Sequence, residues 1–251
     1  MHNLIILGSG RSGTSLLTGM LAKSGYFTGD NYIEINDANP KGFFEDREVN
    51  NINEDIITLS YNQQNPIQKI FATPLPEGKT KWLAMLPNRL AIKTSLDIKS
   101  RIENLVSNQP FCFKDPRFSY TLPAWDQFAK PYNVICIFRN PLDTTTSILK
   151  ECHQNPYLND FGMTHSRALK IWNSIHSYVL NYHDQFGSHW YFIHYEQLFN
   201  SDFVSQLEKN LNVSLDKSFP ESKLHRSKTE GTLNGKTRKI YQQLCDLANY
   251  Q

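Results

Sequence analysis

The chain lacks an excess of charge of either sign. Against 26 Lys+Arg stand 24 Asp+Glu in 251 residues, a net charge of +2. That excludes a surface built for nucleic acid by overall charge, so any anion site must be local. Long apolar runs are also missing, and none reaches the roughly 18 residues that span a bilayer. The N-terminal run Leu4–Leu7 is too short for the apolar part of a secretory leader and gives way at once to Gly8-Ser9-Gly10-Arg11. Cysteines are few: Cys112, Cys136, Cys152 and Cys245, with no CxxC pair. Cys112 and Cys136 sit in apolar runs and read as buried, reduced thiols. The eight histidines are scattered and no HExxH occurs, so no metal site is expected. Internal repeats and low-complexity tracts are absent. These absences leave a soluble, cytoplasmic enzyme or binding protein as the expectation, with neither nucleic acid nor a membrane span.

What is present suits a large core. Hydrophobic residues make up 39% and aromatics 12%, and a chain of this length can bury about 70–75% of its unfolded surface. Four short runs, Leu4–Leu7, Phe111–Phe113, Val134–Phe138 and Trp190–Ile193, are apolar without alternation, as strands buried on both faces are. Between them lie helical stripes: Leu16, Leu17, Met20 and Leu21, with Gly25 as the expected C-cap, and Ala168, Trp172, Ile175 and Val179. Strands separated by helices predict a three-layer α/β fold, a parallel sheet with helices on both sides. One domain over residues 1–251 is expected. Residues 61–81, polar and rich in proline, read as an excursion within it, a lid or substrate loop.

The strongest local signal is the run from Leu4 to Leu16, in which a strand ends, a Gly-rich turn follows and a helix begins. Glycines let the backbone approach an anion, and the helix N-terminus then points at it. Gly8 and Gly13 have the spacing of a Walker A loop, but Thr14 stands where that loop has lysine. An ATP loop uses that lysine on the β- and γ-phosphates. Here the loop cation is Arg11, with hydroxyls from Ser12, Thr14 and Ser15.

Gly10-Arg11-Ser12-Gly13-Thr14-Ser15 resembles the 5′-phosphosulfate loop of sulfotransferases that use 3′-phosphoadenosine 5′-phosphosulfate (PAPS). The run from Val134 through Arg139-Asn140-Pro141 to Ser147 is similar to that family's 3′-phosphate motif, which implies that Arg139 and Ser147 hold the 3′-phosphate. A serine eight residues past the arginine lies about two helical turns on, at the same edge of the site. Lys114-Asp115-Pro116-Arg117 resembles a strand end of tyrosylprotein and some carbohydrate members, where the lysine lies by the leaving phosphate. Trp190–Leu198 resembles the late strand and its turn, which places Tyr195 near the adenine. The basic stretch around Arg226 resembles the C-terminal phosphate-facing loop, and Glu221–Lys239 holds six Lys+Arg against two Glu. The resemblance implies the P-loop NTPase-like fold, PAPS as donor with 3′,5′-ADP as product, and a carbohydrate or small metabolite as acceptor. No metal is needed, because a sulfuryl group carries less charge than a phosphoryl group.

An alcohol acceptor must lose a proton, so a base is expected. Asn39–Asp46 resembles a stretch of bacterial members that supplies a glutamate, which makes Glu45 the first candidate, with Lys114 and Arg11 as its catalytic partners. Aromatic neighbours raise a carboxyl pKa by desolvation. A plain alternative for Glu45 is an acid at a helix N-terminus. Asp30, Glu34 and His153 are further candidates for the base. Cytosolic members carry a histidine where this chain has Asp115-Pro116. Two other readings stay open: a small-molecule or nucleoside kinase, and a non-catalytic nucleotide-binding protein.

Overall fold

A computed structural model describes residues 1–33, 42–64, 72–87, 90–158, 161–186, 189–220 and 229–251. The four apolar runs are strands: β1 (Asn3–Leu7), β2 (Cys112–Lys114), β3 (Tyr132–Phe138) and β4 (Trp190–His194). All pair in parallel, in the order β2-β1-β3-β4. Ile5 lies opposite Phe113 on one side and Val134 on the other.

The lack of alternation in these strands has a direct cause. Ile5 and Leu7 enter one apolar cluster with Phe113, Trp125, Cys136 and Trp172. Leu4 and Ile6 enter a second with Leu17, Met20, Ile137 and Leu207. Both faces of the sheet are therefore covered, and every side chain of β1 is buried. The first cluster is closed by α2 (Arg47–Asn62), α3 (Leu96–Val106), α4 (Phe118–Ala129) and α6 (His165–Phe186). The second is closed by α1 (Thr14–Leu21) and α7 (Ser201–Leu211). The architecture is the three-layer α/β fold expected of the sequence. Between β3 and α6 runs α5 (Pro141–Gln154), and α8 (Gly235–Leu247) follows α7.

Helix ends follow local chemistry. Asp46 caps α2, its Oδ1 accepting from the N–H groups of Glu48 at 2.8 Å and Val49 at 3.1 Å. Asn140 caps α5 with Pro141 as the first helical residue. The expected C-cap at Gly25 is corrected: α1 stops at Leu21 with Ala22 as its cap, and Gly25, at φ +84°, belongs to the following turn. The excursion expected over 61–81 begins later, since α2 runs to Asn62, and it ends in a 3₁₀ turn at Lys81–Leu83. Residues 65–71 lie outside the described ones.

Candidate active site

The four sequence motifs meet because each follows the carboxyl end of a strand. The Gly-rich loop leaves β1, Lys114 ends β2, Arg139 leaves β3, and Tyr195 leaves β4. In an open parallel sheet this edge is where ligands bind. A cavity of about 490 Å³ lies there, lined by Gly10, Arg11, Gly13, Thr14 and Ser15 with Glu45, Lys114, Arg139, Ser147 and Tyr195.

Backbone proximity dictates the loop glycines. A Cβ on Gly8 would lie 2.1 Å from the carbonyl oxygen of Ile137, so only glycine lets the loop pass β3. A Cβ on Gly13, at φ +100°, would lie 2.4 Å from the Tyr195 ring. A Cβ on Gly10 would meet the Trp82 indole at 2.4 Å. Gly13 is also the N-cap of α1, which has no side-chain cap. Ser12 stays out of the cavity. Fully buried, it gives its hydroxyl to the carbonyls of Ser9 at 2.6 Å and Ile137 at 3.0 Å, pinning the loop to β3.

Two distant motifs touch directly: Arg11 Nε donates to Ser147 Oγ at 3.2 Å. Arg11 also lies 3.5 Å from Glu151, one helical turn beyond Ser147. Arg139 is buried, with its guanidinium carbon 4.7 Å from the centre of the Tyr195 ring and its terminal nitrogen 3.6 Å from Asp143. Its Nε has no hydrogen-bond partner among the described residues. A buried charged donor left open fits an anionic ligand, because such a group is costly when unmet. The turn carrying Tyr195 is held from behind. His194 accepts from the Glu196 N–H and stands 3.1 Å from the Tyr241 hydroxyl of α8.

On the other side of the loop, Lys114, only 2% exposed, forms a short ion pair with Glu45 and donates to Ser15 Oγ at 3.2 Å. Ser15 in turn donates to the carbonyl of Phe43 at 3.2 Å. Glu45 lies just outside α2, whose capping falls to Asp46, so the helix-end reading of Glu45 is replaced by the pairing with Lys114. Burial pushes the Glu45 carboxyl above the usual carboxylate range; Lys114 pulls it back and Asp115 pushes it further up. Asp115, fully buried, accepts from the Arg117 backbone N–H at 2.8 Å and guanidinium at 2.9 Å. Arg117 also donates to Glu54 at 2.5 Å and to the carbonyl of Lys79 at 2.9 Å.

The other candidate bases fall elsewhere. Asp30 and His153 are exposed and do not line the cavity. Glu34 and Arg226 lie outside the described residues. Sequence reasoning passed over Glu151, Asn50, Glu54 and Trp82. The spacing of four from Ser147 was the available signal for Glu151, and Asn50, Asn53 and Glu54 share a polar face of α2. Trp82 reaches Gly10 across the fold, for which no local signal exists.

The Gly-rich loop, the paired Lys114 and Glu45, and the buried Arg139 thus share one cavity at the carboxyl edge of the sheet. The chain belongs to the sulfotransferase family, whose sequence model matches residues 3–211. Its fold is the P-loop-like fold of that family. It is similar to the sulfotransferase domain from the curacin biosynthetic pathway, with 17% identity, a TM-score of 0.58, and 100% and 98% of the two chains covered. It is also similar to a sulfotransferase from Alicyclobacillus acidocaldarius, with 12% identity, a TM-score of 0.51, and coverage of 100% and 97%. No curated protein matches the chain in sequence.

Proposed function

We propose that the cavity binds PAPS and that the chain, one domain throughout, transfers its sulfuryl group to a hydroxyl of a carbohydrate or small metabolite. The observation that carries the reading is the buried Lys114–Glu45 pair beside Ser15 of the Gly-rich loop. The donor supplies a sulfuryl group on a phosphate: an O–S bond forms to the acceptor, the S–O bond to the phosphate breaks, and 3′,5′-ADP leaves.

The residues divide this work. Gly10, Gly13, Thr14 and Ser15 offer backbone and hydroxyl groups at the start of α1, and Arg11 adds charge. Arg139 and Ser147 hold the 3′-phosphate, and Tyr195 lies by the adenine. Glu45 takes the acceptor proton. Burial raises its basicity, and Lys114 beside it favours the charged form. Once Glu45 is neutralised, the Lys114 ammonium is released to the negative charge growing on the leaving phosphate. The cations are side chains, so the reading calls for no metal.

The test is transfer of radiolabelled sulfate from PAPS to panels of carbohydrate and small hydroxylated acceptors, with 3′,5′-ADP measured as co-product. Stoichiometric 3′,5′-ADP and labelled acceptor are expected. Phosphate transfer from ATP with Mg²⁺, and none of sulfate, would overturn the reading in favour of a kinase.

A further inference from the structure

Asn50 stands in the first turns of α2, buried between two buried carboxylates. Its side-chain nitrogen donates to Glu45 Oε2 at 3.1 Å and to Asp115 Oδ2 at 2.9 Å. Asp115 is fixed on every side. Asn53 donates to the same Oδ2 at 3.0 Å, and Arg117 takes Oδ1 through two N–H groups. Asn53 is itself locked, its oxygen accepting from Thr121 at 2.7 Å and Trp125 at 2.9 Å. Glu45 has Lys114 on Oε1 and Asn50 on Oε2.

We propose that Asn50 is a positioning residue: it brackets Glu45 to the immobile Asp115 and so keeps Glu45 Oε1 directed at Lys114 and the Gly-rich loop. The inference rests on the reading of Glu45 as the base. An amide suits the task because one nitrogen carries two donors and no charge. Two carboxylates this close otherwise repel, and one of them takes up a proton.

The charged groups facing Glu45 are Lys114 at the end of β2 and Asp115 and Arg117 in the turn into α4. From α2, Glu54 is tied to Arg117, Glu48 to Arg101, and Asp46 caps the helix. The α1 side presents the uncharged Ser15. Removing the Asn50 donor withdraws a hydrogen bond from the ionised form of Glu45 and leaves Asp115 less screened. Both changes act in one direction and raise the proton affinity of Glu45.

The experiment is a pH titration by carbon-13 NMR of the Glu45 carboxyl, identified as the signal missing in Glu45→Gln. In Asn50→Leu, which keeps volume and removes the donor, the midpoint moves to higher pH by about 1–2 units. Affinity for 3′,5′-ADP stays within about twofold, because Asn50 is assigned no part in the donor site. An unchanged or lower midpoint overturns the inference. If Asn50→Leu does not fold, the wild type still decides: the Asn50 side-chain amide signals must shift with the Glu45 midpoint, and amide signals indifferent to it overturn the bracket. The base assignment fails separately. Glu45→Gln with wild-type transfer would remove the base while leaving the titration result intact.

Discussion

Lys114 and Glu45 carry opposite charges in a place where either alone is costly. Their roles in the proposed reaction separate in kinetics. Lys114→Ala is expected to lower kcat by about 10²–10³, the usual loss of one contact to charge that develops in the transition state. Glu45→Gln is expected to lower kcat by roughly 10²–10⁴ with 3′,5′-ADP affinity nearly intact. Single-turnover sulfate transfer measures both, and wild-type rates in either variant would remove that residue from the chemistry. The pH dependence has a definite sign. A base works ionised, and burial holds the Glu45 carboxyl above the usual range. The single-turnover rate therefore rises with pH through a midpoint above that of a free glutamate, and a rate that is flat or falls there contradicts the role. Arg139→Ala and Ser147→Ala address binding instead. Each removes a contact to a charged group, at a cost of about 1.5–3 kcal/mol, or roughly 10–150-fold in affinity for 3′,5′-ADP. Calorimetric titration reads this loss, and unchanged affinity in both variants would misplace the 3′-phosphate.

At the scale of elements, the segment from Lys79 to Ala84 is fastened to the helices beside it. Glu54 of α2 accepts from the Lys81 backbone at 3.0 Å and from its ammonium at 2.7 Å, while Arg117 holds the Lys79 carbonyl. The Tyr120 hydroxyl of α4 donates to the Ala84 carbonyl at 2.8 Å. Trp82 is thereby set against Gly10 as a wall of the cavity. Glu54→Ala strips a buried partner from both Arg117 and Lys81 and is expected to cost about 3–5 kcal/mol, measured by urea denaturation. A loss under about 1 kcal/mol would show that these charges are met by water instead. The strands were legible in the sequence because both sheet faces are covered, which leaves plain apolar runs. The end of α1 was not. Gly25 carries the positive φ that marks a cap, but it does so four residues beyond Leu21, the last helical residue. The Glu54 network was illegible for another reason. Its partners Lys81 and Arg117 are distant in sequence, and a charged residue on a helix reads as solvated until the opposing helix is placed.

For the whole molecule, the site is a consequence of the topology. Four parallel strands deliver four motifs to one edge, so Arg11 and Ser147 touch although 136 positions apart. The sequence carried this much because each motif directly follows its strand and carboxyl ends of parallel strands share an edge. It did not carry the fate of Ser12, whose hydroxyl faces β3, since residues of one loop look alike until the backbone path is known. The central claim is that this edge binds a 3′-phosphorylated adenine nucleotide, and thermal unfolding without Mg²⁺ tests it most directly. A ligand at 100 times its dissociation constant stabilises by about 2.7 kcal/mol, which for a domain of this size raises the melting temperature by roughly 5–10 °C. Such a rise is expected with 3′,5′-ADP, and a smaller one with 5′-AMP at the same concentration. Equal shifts from the two nucleotides, or a shift only with ATP and Mg²⁺, would contradict it.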